Sequence, residues 1–213
     1  MDAELRALTD RLTRESAASR EPGAEELCAR LATTEDHDEL AALLIAPAQP
    51  LWARELAACR LGVAGDSRAF ESLVLLLNHR DPQRCASAAR ALARLGDPRT
   101  ARAAAALATN ELRVAYALHP VRLLTTLRAP ESVPALITTL ERRLAQNDPY
   151  REVALACVAG LGVLGDRRAV PVLKAAEGHS GLRAAAAAAL ARIPQPHRAG
   201  PRRRSPGRPP ATG

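Results

Sequence analysis

The chain has 213 residues, 47% of them apolar but only 2% aromatic, with a formal charge of +7. Alanine, the best helix former, fills 47 positions, while the aromatic and β-branched residues that strands favour are scarce, so an all-α fold is expected. The length admits one domain or a short repeat array. Residues 194–213 hold Arg198, Arg202, Arg203, Arg204 and Arg208 and no acid, which is +5 of the +7 and leaves the body near +2. The basic balance is thus a property of a tail, and by itself it does not indicate nucleic acid.

The first residues, Met1-Asp2-Ala3-Glu4-Leu5-Arg6, lack the apolar core of a signal peptide. No apolar run nears the ~20 residues needed to span a bilayer. Cys28, Cys59, Cys85 and Cys157 have no short paired spacing, which argues against a zinc site or disulfide framework and for reduced, buried thiols. A cytoplasmic protein without a membrane segment is expected.

Residues 2–18 form the first amphipathic pattern, with Leu5, Leu8 and Leu12 on one stripe, ended by Glu21-Pro22-Gly23. Helices are predicted over 24–31 and 35–45, the second closed by Ala46-Pro47-Ala48-Gln49-Pro50. Residues 1–50 therefore read as an N-terminal helical cap or a degenerate first repeat.

From Leu51 the chain repeats itself. Leu61-Gly62-Val63-Ala64-Gly65-Asp66, Leu92-Ala93-Arg94-Leu95-Gly96-Asp97 and Leu161-Gly162-Val163-Leu164-Gly165-Asp166 each place Leu five positions before Asp, with Arg68, Arg99 or Arg168 two positions after it. Gly at such a turn supplies the positive φ of a helix end, and Asp caps the helix that follows. Asp81-Pro82 and Asp97-Pro98 are helix starts of the same kind, and Asp148-Pro149 marks another. A further copy puts Leu124 and Ala129 in the Leu and Asp registers and aligns Ser132-Val133-Pro134 with Ala169-Val170-Pro171, but has lost Gly-Asp. Irregular stacking is expected there, at 128–131. The Asp-register spacings are 31, 32 and 37 residues, the period of paired helices in an α-solenoid. A lone helix over 182–193 with six consecutive alanines reads as a truncated last unit, and 194–213, with six prolines, as a disordered tail.

The runs Arg84…Ala88-Ala89…Leu92…Leu95-Gly96-Asp97-Pro98-Arg99 and Leu164-Gly165-Asp166-Arg167-Arg168-Ala169-Val170-Pro171-Val172-Leu173 resemble HEAT-like repeats of the phycobilisome-lyase type, over roughly 51–193. The resemblance implies a right-handed α-solenoid of about four HEAT-like helical hairpins, whose second helices line a concave face. It does not choose a function, because such repeats serve scaffolds, chaperones, nucleic-acid binders and a few enzymes.

Two groups of side chains are candidates for binding. Arg68, Arg99 and Arg168, supplemented by Arg102 and Lys174, would form a row on the second helices able to hold an acidic partner or phosphates. The competing reading is structural: each Asp caps its own helix and each Arg pairs with the Asp of the next turn. Glu131 interrupts the row. The second group, Tyr116 and His119 with Arg113 and Arg122, lies on a helix predicted over 111–127, which Pro120 should kink or divide. There the alternative is that Tyr116 fills volume left by alanines.

Chemistry is sparse elsewhere. The histidines fall in different repeats, and the run Glu35-Asp36-His37-Asp38-Glu39 reads as acids favourably placed at a helix N-terminus, so no metal is expected. The paired His-Glu steps of HEAT-like hydroxylases do not occur. Nor does a Gly-x-Ser-x-Gly elbow, a P-loop or a dinucleotide glycine pattern. No catalytic residue or cofactor is expected. The expected role is a non-catalytic scaffold or adaptor for a protein partner. Two alternatives stay open: nucleic-acid or polyanion binding through the arginine row and Arg202, Arg203, Arg204 and Arg208, and a bilin-lyase-like activity implied by resemblance alone.

Overall fold

The computed structural model describes residues 3–145 and 151–194. The Asp148-Pro149 helix start and the tail arginines from Arg198 onward lie outside the described residues. Within them all regular structure is helical: α1 (Ala3–Ser19), α2 (Ala24–Thr33), α3 (His37–Leu44), α4 (Leu51–Ala64), α5 (Phe70–Leu77), α6 (Pro82–Leu95), α7 (Thr100–Ala108), α8 (Leu118–Leu127), α9 (Ser132–Ala145), α10 (Arg151–Leu164), α11 (Val170–Glu177) and α12 (Arg183–Arg192). Short 3-10 turns at Ser67–Ala69, Glu111–Tyr116 and Arg167–Ala169 lead into α5, α8 and α11.

From α2 onward first helices alternate with second helices. The first helices α2, α4, α6, α8, α10 and α12 pack on one another in order, and each second helix (α3, α5, α7, α9, α11) packs on the first helix that follows it. Burial is thus completed by the neighbouring hairpin, which is why one hairpin alone would leave its apolar stripe wet. Leu61, Leu92, Leu124 and Leu161, the residues five positions before each turn register, are all 0% exposed. Glycine stands at two first-helix positions where a side chain would have no room. A Cβ on Gly162 of α10 would lie 2.8 Å from Cα and Cβ of Ala189 in α12. One on Gly62 of α4 would lie 2.7 Å from Leu73 Cδ1 and 3.1 Å from Ala91 Cβ in α6.

The turns are built from backbone conformation first. Gly65, Gly96 and Gly165 adopt φ of 81°, 67° and 67°. In the first of these the Asp66 amide donates to Leu61 O at 2.9 Å and the Gly65 amide to Gly62 O at 3.2 Å, closing the helix end. The copy without Gly-Asp departs from expectation: its turn is kept. Arg128 occupies the glycine register with φ 52° and ψ 29°, and its amide donates to Leu124 O at 3.2 Å. Ser132 N donates to Ala129 O at 2.9 Å, as Ala69, Thr100 and Ala169 do to Asp66, Asp97 and Asp166. The Ser132 hydroxyl adds a bond to Leu124 O at 2.7 Å. Stacking is therefore not disrupted at 128–131; α8 packs on α10 and α9 on α11 as elsewhere. The physical reason is that packing fixes the chain path, and a non-glycine residue accepts the left-handed conformation there at a modest cost.

The helix predicted over 111–127 is divided, but upstream of the proline. Arg113 leaves helical geometry (φ −125°, ψ 26°), a 3-10 segment runs to Tyr116, and α8 begins at Leu118. Pro120 consequently sits in the first turn of α8, where its missing N–H costs nothing.

Candidate functional site

Each turn arginine is engaged by its own turn. Asp66 accepts from the Arg68 amide at 3.0 Å and from the Arg68 guanidinium through Nε at 3.0 Å and Nη2 at 2.7 Å. Asp97 and Arg99 repeat the pattern at 2.8, 3.0 and 2.8 Å, and Asp166 and Arg168 at 2.8, 3.1 and 2.7 Å. The predicted ladder, in which Arg reaches the next turn's Asp, is not formed. The capping carboxylate lies two residues back along a tight turn, so the fork of the guanidinium closes on it locally and bidentately. These hydrogen bonds hold the Asp66 carboxyl down at about 2. Arg99 and Arg168 likewise lower Asp97 and Asp166 below the ordinary carboxylate range.

In two of the three turns the outer edge of the arginine also reaches the hairpin before it. Arg68 Nη1 donates to Asp38 Oδ1 of α3 at 2.6 Å. The Arg99 guanidinium stands 4.0 Å over the centroid of Phe70 in α5, a cation–π contact. Arg102 and Lys174 are exposed on α7 and α11.

Tyr116 and His119 are both half-buried but serve different surroundings. The Arg113 guanidinium lies 5.3 Å from the Tyr116 ring centroid. His119 instead lines a groove between α6 and α8, together with Arg90, Arg94 and Arg122. Burial, and then the charges of Arg122 and Arg90, push its pKa below the usual histidine value.

The strongest polar constellation was missed by the sequence reading. Glu55 on α4 is 0% exposed. One carboxylate oxygen accepts from Arg11 Nη2 of α1 and the other from Arg84 Nη1 of α6. Arg84 Nη2 also donates to Glu15 of α1, and its Nε lies 3.6 Å from Asp81. Burial pushes the Glu55 carboxyl above the ordinary glutamate range, against the pull of Arg11 and Arg84. This network pins α1 across the first helices α4 and α6 rather than at the end of the stack. A signal was present: Glu55 interrupts the apolar run Trp52, Leu56, Cys59 at helical spacing. An acid on a buried stripe calls for a partner, though its partners lie 44 and 29 residues away in sequence.

Cys28, Cys59, Cys85 and Cys157 are all buried and free, and burial pushes the Cys157 thiol up to about 12. Asp36 caps α3, accepting from the amides of Asp38 at 2.9 Å and Glu39 at 3.1 Å. Among the described residues no three His, Cys, Asp or Glu side chains gather where a metal could be held. No described helix is long and apolar enough to cross a membrane.

No curated protein matches the chain. Residues 153–179, which cover most of α10, its Gly165-Asp166 turn and all of α11, match the family model described as PBS lyase HEAT-like repeat. That segment matches one HEAT-like repeat, and the all-helical stack of hairpins before it, with α12 after it, supports a HEAT-like repeat protein.

Proposed function

We propose that the chain is a non-catalytic scaffold or adaptor that binds a protein partner across a right-handed solenoid of about four HEAT-like hairpins. The observation that supports this best is the use of the turn arginines. A surface that tracks phosphates needs cations free to displace counterions. Arg68, Arg99 and Arg168 are already neutralised by Asp66, Asp97 and Asp166, so the row serves the turns and leaves the helix faces for a partner. Repeat arrays of this kind expose long surfaces of adjacent helices, suited to an extended protein contact. The proposal assigns the chain no lyase chemistry.

The test is affinity capture on the immobilised full chain, with nuclease treatment, followed by titration calorimetry against the purified captured protein. A discrete protein that binds with little salt dependence is the expected result. The reading fails if the captured material is nucleic acid, or if no protein binds and the purified chain carries an absorbing cofactor or turns over a substrate. Loss of nucleic acid on deleting 195–213 would assign binding to the tail arginines instead.

A further inference from the structure

We propose that the exposed side of α12 docks an acidic amphipathic helix of the partner protein, in the place a further first helix of the stack would take. The inference deepens the scaffold reading by naming a surface and a class of ligand, and it rests on that reading.

The repeat register identifies this side of α12. The residues that follow the buried leucines Leu61, Leu92, Leu124 and Leu161 are Gly62, Ala93, Thr125 and Gly162. Gly62 faces Ala91 of the next first helix and Gly162 faces Ala189. Ala91 directly precedes Leu92, so by the same register Leu190 is the leucine of α12. Ala191 then stands where Gly62 and Gly162 do, and Ala187 where Ala58, Ala89, Val121 and Val158 do. In the earlier helices, where a further hairpin packs, all of these positions are buried or half-buried, with Ala58, Val121 and Val158 at 0% exposure. In α12 Ala187 and Ala191 are exposed, as is Ala184. The other end of the stack is finished differently. The positions that are buried Ser87 and Ala91 in α6 are Glu26 and Arg30 in α2, both exposed. A polar outer face is how a repeat array ends, whereas α12 presents alanines.

Charge names the occupant. Residues 178–213 hold seven arginines and no acid, so the entire formal +7 belongs to the stretch of sequence that contains α12. Within α12 itself stand Arg183 and Arg192 and no carboxylate, and the Nε of Arg183 donates to a neutral acceptor, Glu177 O, at 3.2 Å. Such an excess selects an acidic partner and opposes the pairing of two copies of this chain through the same end. Residues 195–213 contain no Leu, Ile, Val, Met, Phe, Tyr or Trp, so they lack the side chains from which a neighbouring helix builds an apolar stripe. A helix suits the face better than a phosphate backbone does. Ala184, Ala187 and Ala191 recur at the three- and four-residue steps of one helical stripe, the surface on which a second helix packs, and they offer phosphates no donor.

The experiment uses the full chain and three synthetic amphipathic peptides of about 18 residues, five helical turns, with one leucine stripe flanked by Glu, Gln or Lys. Fluorescence anisotropy should show the Glu peptide binding about tenfold tighter than the Gln peptide, the worth of one charge-assisted contact, with the Lys peptide weakest. Ala187→Gln changes no charge and should weaken the Glu peptide about tenfold, because its amide enters the seam without a partner. Ala106→Gln, on the exposed side of α7, should leave binding unchanged. Circular dichroism of both variants establishes that they fold, and both alanines are exposed, so neither replacement reaches the core. Hydrogen exchange should slow in 183–192 when the Glu peptide is bound. The proposal is overturned if no peptide binds, if Ala187→Gln changes nothing, or if a DNA duplex binds and is lost with Ala187→Gln. It is overturned equally if light scattering shows a dimer of the chain that Ala187→Gln dissociates, or if removing 195–213 speeds exchange in 183–192, which would make the tail the occupant. If the captured protein binds and its binding survives Ala187→Gln, the α12 face is wrong and the scaffold reading stands.

Discussion

Glu55→Gln replaces a buried carboxylate by a neutral amide of nearly the same volume. In the native protein Glu55 is 0% exposed and Arg84 is 9% exposed at its side chain, and both oxygens of Glu55 are taken by guanidiniums. The amide NH2 would face one of those guanidiniums donor to donor, and the two cations would keep only the half-exposed Glu15 and Asp81. Removing one member of a buried ion pair costs about 3–5 kcal/mol. At about 2–4 °C per kcal/mol for a chain of this size, the midpoint of thermal unfolding should fall by about 6–20 °C. Circular dichroism measures the shift, and hydrogen exchange should show α1 loosening first, since Arg11 and Glu15 are its anchors. The apolar combination Arg11→Leu, Glu55→Leu, Arg84→Met should recover most of the loss, because it leaves no buried charge unpaired. A shift of less than about 3 °C for Glu55→Gln would correspond to about 1 kcal/mol and would refute the assignment of Glu55 as the pin for α1.

Other outcomes separate effects that the sequence cannot rank. Gly162→Ala should destabilise by about 1–2 kcal/mol despite its better helix propensity, because the new methyl meets the Ala189 backbone of α12. Gly62→Ala should be near neutral, since the first atom met is the rotatable Leu73 Cδ1; equal melting shifts would contradict this. Arg128→Gly should raise stability by about 1 kcal/mol by relieving the left-handed conformation at φ 52°, and a drop in melting temperature would contradict the turn assignment. The depressed carboxyls of Asp66, Asp97 and Asp166 contribute stability that is complete above their unfolded pKa and is lost as pH falls through their folded values, about 2 for Asp66. Acid titration of the triple Asn variant should therefore show a flatter profile below about pH 4 than the parent; identical profiles would show that these pairs carry no linkage.

Local signals in this chain were legible because each repeat states its own chemistry. Asp81-Pro82 begins α6, and the Gly-Asp turns end α4, α6 and α10 where the spacing places them. These are decisions within one turn of backbone, governed by capping, φ preference and stripe periodicity. The residue pattern also marked 110–144 as the deviant copy. It could not tell that Arg128 would take the glycine conformation, because that choice is enforced by the stacking of α8 and α9 with their neighbours rather than by the residue's own preference.

For the candidate site the division is sharper. The turn arginines were found by repetition, yet whether Arg68 would reach Asp66 or the next turn depended on three-dimensional distance. His119 was found as an oddity, but Arg90 and Arg94, its companions across the groove, sit on a different helix about one repeat earlier in the chain. The sequence by itself determined the helical class, the hairpin turns and the buried leucine register, since each arises from contacts a few residues apart. Only the tertiary structure decided where α1 lies and which charges are buried with Glu55. Those outcomes depend on pairs 29, 44 and 69 residues apart, whose energies appear only once packing has removed the water between them.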